Sequence, residues 1–405
     1  MTLLLKNRGA VLILMFNLFL VFTGIGLVIP IMPKFMESLD ITGGVVGLLV
    51  AAFSLTQLLA SPLAGRLSDS FGRKKMIVFG MLLFAFSEGL FGYAGSTTVL
   101  FIARMLGGIS AAMIMPAVMA YAADVTTTEE RAAGMGYVNA AITTGFIIGP
   151  GIGGYIAEFG IRMPFYFAAA AGVLAACINL FILPESRPAS VAAAASMDAA
   201  KPRASLLTQL RYAYREPYFL SLIIVFVMSF GLANFETVFG LFVDHKFGFE
   251  PKDIAFIITF GSIAGAVVQL TAFSWILKRF GESRVISVCL LFAGLFILLT
   301  LFVHKFWLIF AVTFIVFLAI DILRPAIGTQ MSMVAEDQQG YVAGLNSAFT
   351  SLGNIIGPIV AGFLFDVDIN FPYGLAFAVL FLCFLLSLRA SGRSRQGAGA
   401  AAPQQ

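Results

Sequence analysis

The stretch Gly145–Gly154 reads GFIIGPGIGG, and Gly353–Gly362 repeats it as GNIIGPIVAG after 208 residues. Both copies place a Gly-Pro pair inside an apolar run, which is unusual in a helix and is therefore an informative match. Further matches at offsets of 208 or 209 residues join Gly136 with Gly344, Pro164 with Pro372, Phe71-Gly72 with Phe280-Gly281, and Pro116-Ala117-Val118 with Pro325-Ala326-Ile327. We predict that the chain is an internal duplication.

The residues around both copies are strongly apolar. Of 405 residues 60 % are hydrophobic and 11 % are charged, which excludes an ordinary soluble globular domain. A membrane-spanning helix needs about 20 mostly apolar residues, and a membrane β-strand would instead alternate apolar and polar residues. Continuous apolar runs are centred near residues 20, 53, 85, 110, 145, 173, 229, 265, 293, 319, 353 and 380. We predict an all-α polytopic membrane protein with twelve transmembrane helices.

The basic residues indicate how these helices are oriented. Eighteen of the 25 Lys and Arg residues fall in the segments that share a side with the N-terminus, five fall on the other side, and Arg104 and Arg324 lie within spans. By the positive-inside rule we expect both termini to be cytoplasmic. The net charge of +4 is then a signal of topology, and we predict no nucleic-acid binding.

The chain divides into two bundles. We predict a six-helix bundle over residues 1–183, a cytoplasmic linker rich in Pro, Ala and Ser over 184–215, a second six-helix bundle over 216–390, and a disordered cytoplasmic tail over 391–405. Because six spans separate the matched positions, the two copies have the same orientation and are related by an axis along the membrane normal. This parallel arrangement is typical of transporters that work by alternating access.

Three motifs resemble those of the major facilitator superfamily. The loop Gly65–Lys75 reads GRLSDSFGRKK, Arg104 is followed by Gly108 in the fourth span, and the fifth span carries the glycine-rich stretch that opens this section. The resemblance extends over residues 5 to 390. The stretches GIGLVIP, GLLVAAF, RMPFYFA and LNSAFTS are most similar to the drug:proton antiporter family, in its NorA, Bmr and Blt group of bacterial multidrug exporters.

The resemblance implies a twelve-helix proton antiporter that exports hydrophobic, often cationic drugs such as quinolones, dyes and quaternary ammonium compounds. It assigns proton coupling to Glu236 and Asp321. The substrate site that it implies contains Phe22, Gln57, Arg104, Tyr137, Phe146, Phe317, Arg324 and Asn354. The gating and hinge residues that it implies are Asp69, Gly72, Arg73, Gly145, Gly149, Pro150, Gly153, Gly357 and Pro358.

Charged residues within spans point to function independently of the resemblance, because a charge at mid-bilayer costs about 2.5 kcal/mol or more. Asp321 and Arg324 are three residues apart, so they share one helix face. They form either an internal ion pair that only makes the span insertable, or a proton site that Arg324 or substrate competes for. Glu236 and Arg104 enter the membrane to comparable depths, so contact between them is possible. Glu88 has no motif and no obvious basic neighbour.

The loop and glycine motifs each allow two interpretations. Asp69 either pairs with Arg73 or lies against the start of the eleventh span near Tyr341, and either contact could act as a gate. The glycines of the fifth span repeat every four residues, so they form one stripe. The stripe permits close helix packing, and together with Pro150 it permits the helix to bend. A rocking interface requires both properties.

We therefore predict a proton-coupled multidrug efflux antiporter, present as a monomer, whose partners are the lipid bilayer, small hydrophobic or cationic drugs, and protons. The alternatives are a superfamily transporter for one metabolite, such as a sugar or a polyamine, and a membrane-embedded protein that does not transport. His245 and His304 have no metal-ligand spacing, and nucleophile and nucleotide-binding motifs are missing from the sequence. We predict no enzyme activity, no metal and no cofactor apart from the proton as coupling ion.

Overall fold

The computed structural model describes residues 2–186, 214, 218–334 and 339–400, and within them it contains helices and turns but no strand. The helices are α1 Thr2–Val28, α2 Met32–Leu39, α3 Gly43–Phe71, α4 Arg73–Tyr93, α5 Thr97–Val125, α6 Thr128–Ile156, α7 Met163–Ile182, α8 Phe219–Phe247, α9 Pro251–Thr271, α10 Phe273–Phe280, α11 Glu282–Thr300, α12 Phe306–Val334, α13 Gln339–Val367 and α14 Phe371–Ala400.

Twelve helical stretches in the described residues are long and apolar enough to cross a membrane. The first combines α1, a short 3-10 turn and α2 over Gly9–Leu39. Each of the others is built on a single helix, and α10, with eight residues, is too short to be counted. This result confirms the prediction of an all-α protein with twelve transmembrane helices.

Glycine at the matched positions 72 and 281 allows a sharp turn between one helix and the next. Gly72 has φ +105° and precedes α4, and Gly281 has φ +78° and precedes α11. Residues with a side chain rarely adopt these angles. Farther along the chain, Thr127 caps α6 in a capping box, in which its hydroxyl accepts the Glu130 N–H and the Glu130 carboxylate accepts the Thr127 N–H.

The described chain groups into two compact units. The first unit consists of Met1–Ile41, Leu49–Arg203 and Gly248–Thr259, and the second of Thr42–Leu48, Ala204–Phe247 and Phe260–Gln405. The division between 203 and 204 falls in the predicted linker. Most of that linker lies outside the described residues. The helix α14 runs through Ala400, whereas the sequence predicted a disordered tail from residue 391, and residues 401–405 also lie outside the described residues.

The same helix pairs pack together in each unit. In the first unit α1 packs on α6 and α7, and α4 packs on α5 and α7. In the second unit α8 packs on α13 and α14, and α11 packs on α12 and α14. The duplicated sequence positions map α4 onto α11, α5 onto α12, α6 onto α13 and α7 onto α14, so the two units repeat one packing scheme.

The second unit also includes the first residues of α3. Asp366, near the end of α13, accepts the Gly43 N–H at 2.7 Å with one carboxylate oxygen and the Gly44 N–H at 2.8 Å with the other. The first N–H groups of a helix have no partner inside it and attract negative charge. Asp366 therefore supplies the cap that the glycines at the start of α3 cannot provide themselves.

Candidate functional site

The second unit contains a charged cluster inside its membrane spans. Arg324 on α12 donates from one terminal nitrogen to both carboxylate oxygens of Glu236 on α8, at 2.7 and 2.9 Å. Sequence analysis pointed to Arg104 as a partner of Glu236, but the guanidinium that binds this carboxylate is that of Arg324. The number of residues from each span end showed which charges lie at a similar depth in the membrane. It did not show which neighbouring helix the Arg324 side chain contacts.

The Glu236–Arg324 pair is open to its surroundings. The side chain of Glu236 is 36 % exposed and that of Arg324 is 51 % exposed. An ion pair that faced lipid would carry a large desolvation cost, so exposed charges at this depth normally border a water-filled cavity. The pair therefore has the accessibility that a proton or a charged substrate requires.

Asp321 completes the cluster one turn before Arg324 on the same helix. Its charge interacts with those of Arg324 and Glu236. The side chain is half-buried against α9 at Gly265, where an added Cβ would lie 2.6 Å from both Cβ and Cγ of Asp321. Since real Cβ atoms do not approach that closely, only glycine at 265 leaves room for the carboxylate at this place.

The cluster is unbalanced in charge. Two carboxylates share one guanidinium, so the group carries a net charge of −1 when both acids are ionised. A buried or half-buried negative charge without its own counterion is costly. The cluster can remove this charge by binding one proton or one organic cation, and the two would compete.

Aromatic residues surround this cluster on α8 and α12. Phe317, one turn before Asp321, packs with Phe235 at a ring separation of 6.0 Å and with Phe239 at 5.6 Å. Phe317 is 9 % exposed, and the two α8 rings are fully buried. The resemblance assigned Phe317 to the substrate site. In the structure it belongs to an aromatic core next to the charged cluster, and its contact with substrate stays a prediction.

The predicted substrate residues of the first unit lie on several helices. Phe22 on α1 and Phe146 on α6 pack with ring centroids 4.8 Å apart, and Phe146 is 39 % exposed. Gln57 on α3 and Tyr137 on α6 are half-buried. In the second unit Asn354 on α13 is exposed. Phe22 and Phe146 are thus brought together as an accessible aromatic pair, and the substrate roles of all these residues remain predictions.

Arg104 on α5 occupies a different environment from the one predicted. Its guanidinium carbon lies 4.4 Å from the centre of the Phe91 ring, and its charge interacts with that of Glu88 on α4. Sequence analysis found no basic neighbour for Glu88, and this was wrong. The two residues lie on adjacent helices that run in opposite directions, so their separation along the chain conceals their proximity.

The glycine stripe of α6 lies directly on the backbone of α1. An added Cβ would lie 2.7 Å from the Phe19 carbonyl oxygen at Gly145 and 2.6 Å from the Thr23 carbonyl oxygen at Gly149, and at Gly153 it would overlap the Leu27 carbonyl. The second copy repeats this contact against α8, since a Cβ at Gly353 or Gly357 would lie 2.7 or 2.6 Å from backbone atoms of Phe230. The structure supports the packing interpretation, and the hinge role of Pro150 and Pro358 stays a prediction.

The loop between α3 and α4 forms a second charged cluster. Arg73 is 6 % exposed and pairs with Asp69 at 2.5 Å and with Asp124 on α5 at 3.4 Å. Ser68 accepts a further hydrogen bond from this guanidinium at 3.2 Å. The predicted Asp69–Arg73 pair is therefore formed. The alternative contact near Tyr341 involves a side chain outside the described residues.

Two acidic members of this cluster escaped sequence analysis. Asp124 at the end of α5 pairs with Arg73, and Glu185 after α7 accepts the Arg73 N–H at 2.9 Å and the Lys74 N–H at 3.3 Å. Both lie next to the ends of helices, where the only sequence signal was an acidic residue among basic ones. Gly265 was missed as well, although Gly261 and Gly265 show the same four-residue spacing as the stripe of α6.

None of these clusters offers a metal site. The described residues contain no group of three or more His, Cys, Asp or Glu side chains placed to hold a metal ion. The carboxyl groups of Glu236 and Asp321 are of the type that can bind a proton or attract a cation.

Comparisons with known proteins agree with this architecture. The family model described as Major Facilitator Superfamily matches residues 14–270 and 221–404. Multidrug resistance protein 2 of Bacillus subtilis is 49 % identical over 368 residues, covering 91 % of this chain and 92 % of that protein. The quinolone resistance protein NorA of Staphylococcus aureus is 41 % identical over 367 residues, again covering 91 % and 92 %.

Solved structures support the fold. The crystal structure of the peptide transporter POT in complex with sulfate superposes with a TM-score of 0.76 at 16 % identity, covering 95 % of this chain and 94 % of that one. A bacterial homologue of the human lysosomal transporter Spinster, in an inward-facing and occupied conformation, gives 0.74 at 14 % identity, with 94 % and 96 % covered. At such low identity these matches establish a shared architecture alone.

Proposed function

This chain belongs to the Major Facilitator Superfamily, and we propose that it is a multidrug efflux transporter that exports hydrophobic, often cationic compounds in exchange for protons. The names of its relatives support export of drugs, since proteins 49 % and 41 % identical to it are a multidrug and a quinolone resistance protein. The exchange for protons is supported by the residues of the second unit.

One observation supports the proton coupling most directly: Arg324 binds both carboxylate oxygens of Glu236, and Asp321 lies one turn from Arg324 on the same helix. While Arg324 holds Glu236, the charge of Asp321 is left for a proton to neutralise. A drug cation that reaches the cluster competes with that proton and with Arg324. Binding of the drug then expels the proton, and binding of a proton expels the drug, which is the linkage that exchange transport needs.

The aromatic residues suit substrates of this kind. Phe22 and Phe146 present an accessible aromatic pair in the first unit, and flat, hydrophobic compounds bind such surfaces with few directional hydrogen bonds. A carboxylate and aromatic faces together favour cations through charge and cation–π attraction. Quinolones, cationic dyes and quaternary ammonium compounds share these properties, so we infer a broad substrate range.

The chain is a multi-pass bacterial membrane protein. We infer that both termini are cytoplasmic, that the transporter works as a monomer, and that it needs no cofactor besides the coupling proton. Inward movement of one proton supplies about 2.3 kcal/mol per 100 mV of membrane potential, in addition to any pH difference. This free energy is enough to concentrate a drug outside the cell severalfold or more.

Ethidium transport in everted membrane vesicles tests the proposal. With an acidic interior, vesicles that contain the wild-type chain should accumulate ethidium, and a protonophore should abolish the accumulation. Glu236→Gln removes a coupling carboxylate with little change in shape, so its vesicles should accumulate at least tenfold less. Glu37→Gln, at an exposed site in α2, is the matched control and should transport like the wild type.

Full accumulation by Glu236→Gln would remove that residue from the coupling. Accumulation by the wild type that persists with the protonophore would contradict proton drive. If the wild type moves no member of a panel of dyes and quinolones, the alternative of a transporter for a single metabolite takes precedence.

A further inference from the structure

The first unit contains a buried acid that the proposed mechanism does not use. Glu88 on α4 is 6 % exposed, and its Oε2 atom is fully buried without a hydrogen-bond partner in the described residues. Arg104 on α5 has a buried Nε–H that likewise lacks a partner there. Their charges interact with each other, and the Arg104 guanidinium lies on the face of Phe91.

Apart from the hydroxyls of Thr23 and Thr259, the other buried side-chain polar atoms in the described part of the first unit have hydrogen-bond partners. Asn17 and Asn179, both fully buried, exchange side-chain hydrogen bonds of 2.7 and 2.6 Å between α1 and α7. Asn179 also donates to the Ala175 carbonyl. A carboxylate oxygen without a donor is costly as an anion and much less costly when protonated. The surroundings of Glu88 therefore allow both protonation states.

The duplication shows whether the packing of this helix pair requires Glu88 and Arg104, because the second unit contains the equivalent pair. An offset of 209 residues holds on both sides of this helix pair, and it maps Glu88 onto Ile297 and Arg104 onto Thr313. Both counterparts are fully buried, and the Thr313 hydroxyl donates to the Ile309 carbonyl within its own helix. The equivalent pair α11 and α12 thus packs without an acid and a guanidinium, so packing does not explain why α4 and α5 carry Glu88 and Arg104.

Arg104 acts electrostatically on Glu88, and its guanidinium lies over Phe91, one turn along α4 from Glu88. The helices packed on α4 are α5, α7 and, through fewer contacts, α1. Their other titratable side chains in the described part of the chain are Tyr121 and Asp124 on α5 and Tyr166 and Cys177 on α7. Tyr121 and Asp124 follow Arg104 by 17 and 20 residues, about 25 and 30 Å along α5. Tyr166 contacts the helix one turn away, at Gly92.

We propose that Glu88 is a second proton-binding group of this transporter, located in the first unit, and that its protonation frees the positive charge of Arg104. When a proton binds, an O–H bond forms on the carboxyl of Glu88 and the pair changes from neutral to a net charge of +1. The uncovered Arg104 then repels a cationic drug. The proposal rests on the proposed function, and it adds a site to that function which is independent of Glu236 and Asp321.

Binding of ethidium to the purified protein, measured by fluorescence anisotropy from pH 6 to pH 9, tests this proposal. In the wild type, Kd should fall as pH rises, because deprotonation removes net positive charge from both units. Each proton linked to binding contributes up to a tenfold change in Kd per pH unit. Glu88→Gln is uncharged at every pH, like protonated Glu88, so the contribution of this site is lost. For each pH unit, the factor by which Kd falls should be up to tenfold smaller in this variant than in the wild type. Glu37→Gln should keep the wild-type dependence.

A second variant tests the proposal in case Glu88→Gln does not fold. The double substitution Glu88→Ile with Arg104→Thr gives the first unit the residues that the second unit already accommodates. It should remain folded and should lose the same part of the pH dependence. An unchanged pH dependence in either folded variant would overturn the proposal, as would failure of both variants to fold, because the pair would then be structural.

The outcomes separate this proposal from the proposed function. A wild type that transports ethidium with no response to acid contradicts the proposed function. Acid-driven transport by the wild type, together with wild-type pH dependence of binding in Glu88→Gln, contradicts only the role of Glu88.

Discussion

The charge of Asp321 determines whether the cluster of Glu236, Asp321 and Arg324 is neutral or negative. Its carboxylate lies one turn from Arg324, which is already bound to both oxygens of Glu236. Asp321→Asn removes the negative charge and makes the cluster neutral without a bound proton. Addition of drug to this variant in weakly buffered detergent should release fewer protons than it does from the wild type, because the second unit no longer has a proton to lose. A pH-sensitive dye measures this, and wild-type release by the variant would reduce Asp321 to a partner for insertion of α12.

Gly265 places the Asp321 carboxylate against α9. Alanine there would put a Cβ 2.6 Å from Cβ and Cγ of Asp321, so the acidic side chain has to move. Gly265→Ala should therefore lower acid-driven ethidium transport about tenfold or more, as small displacements of a reacting group do. Gly328→Ala in α12 is the matched control, because a Cβ at 328 meets no atom within 4 Å. Equal transport by the two variants would show that this placement is unimportant.

At this scale the sequence identified the charged residues and left their partners undetermined. Charges within spans are rare and costly, which marks Glu236, Asp321 and Arg324 without any structure. The pairs Arg324 with Glu236 and Arg104 with Glu88 depend on which faces of neighbouring helices meet. Spacing along one helix carries no information on that.

Among the helices, α6 shows how residue size controls packing. At Gly149 an added Cβ would lie 2.6 Å from the Thr23 carbonyl oxygen and 2.9 Å from Cα of Gly26. Both neighbours are backbone atoms of α1 and cannot rotate away. Gly149→Ala should therefore destabilise the protein by about 1–3 kcal/mol, the usual cost of overpacking.

The melting temperature in detergent measures this effect. Gly136→Ala, in the same helix and with no atom within 4 Å of the new Cβ, should leave that temperature unchanged or raise it slightly. If both variants melt like the wild type, α1 and α6 are not in the close contact described here.

The helices themselves were predictable because two strong signals agree. Apolar runs of about 20 residues predict spans, and the repeated glycine and proline positions align the two halves. In the described residues, twelve helices are long and apolar enough to be these spans. The segment 42–48 belongs to the second unit and the segment 248–259 to the first, although the residues on either side of each segment in sequence belong mostly to the other unit. This grouping depends on tertiary contacts, which hydropathy does not report.

In the whole transporter the charged cluster around Arg73 bears on the rate of turnover. Asp69 and Asp124 both bind this buried guanidinium, and a gate must break and remake such contacts in every cycle. Asp69→Asn weakens one of them, so it should slow maximal ethidium transport severalfold while Kd changes less than twofold. Transport rates in proteoliposomes and equilibrium binding in detergent separate these effects. A large loss of affinity at an unchanged rate would contradict a gating role.

The central claim is that drugs and protons move in opposite directions through this chain. Sealed liposomes that contain the purified protein and a pH indicator, with no imposed pH difference and the voltage clamped at zero, test it most directly. An outward gradient of ethidium alone should draw protons into the lumen, and Glu236→Gln and Asp321→Asn should abolish this acidification. Ethidium efflux at the full wild-type rate with no change in luminal pH would contradict the claim.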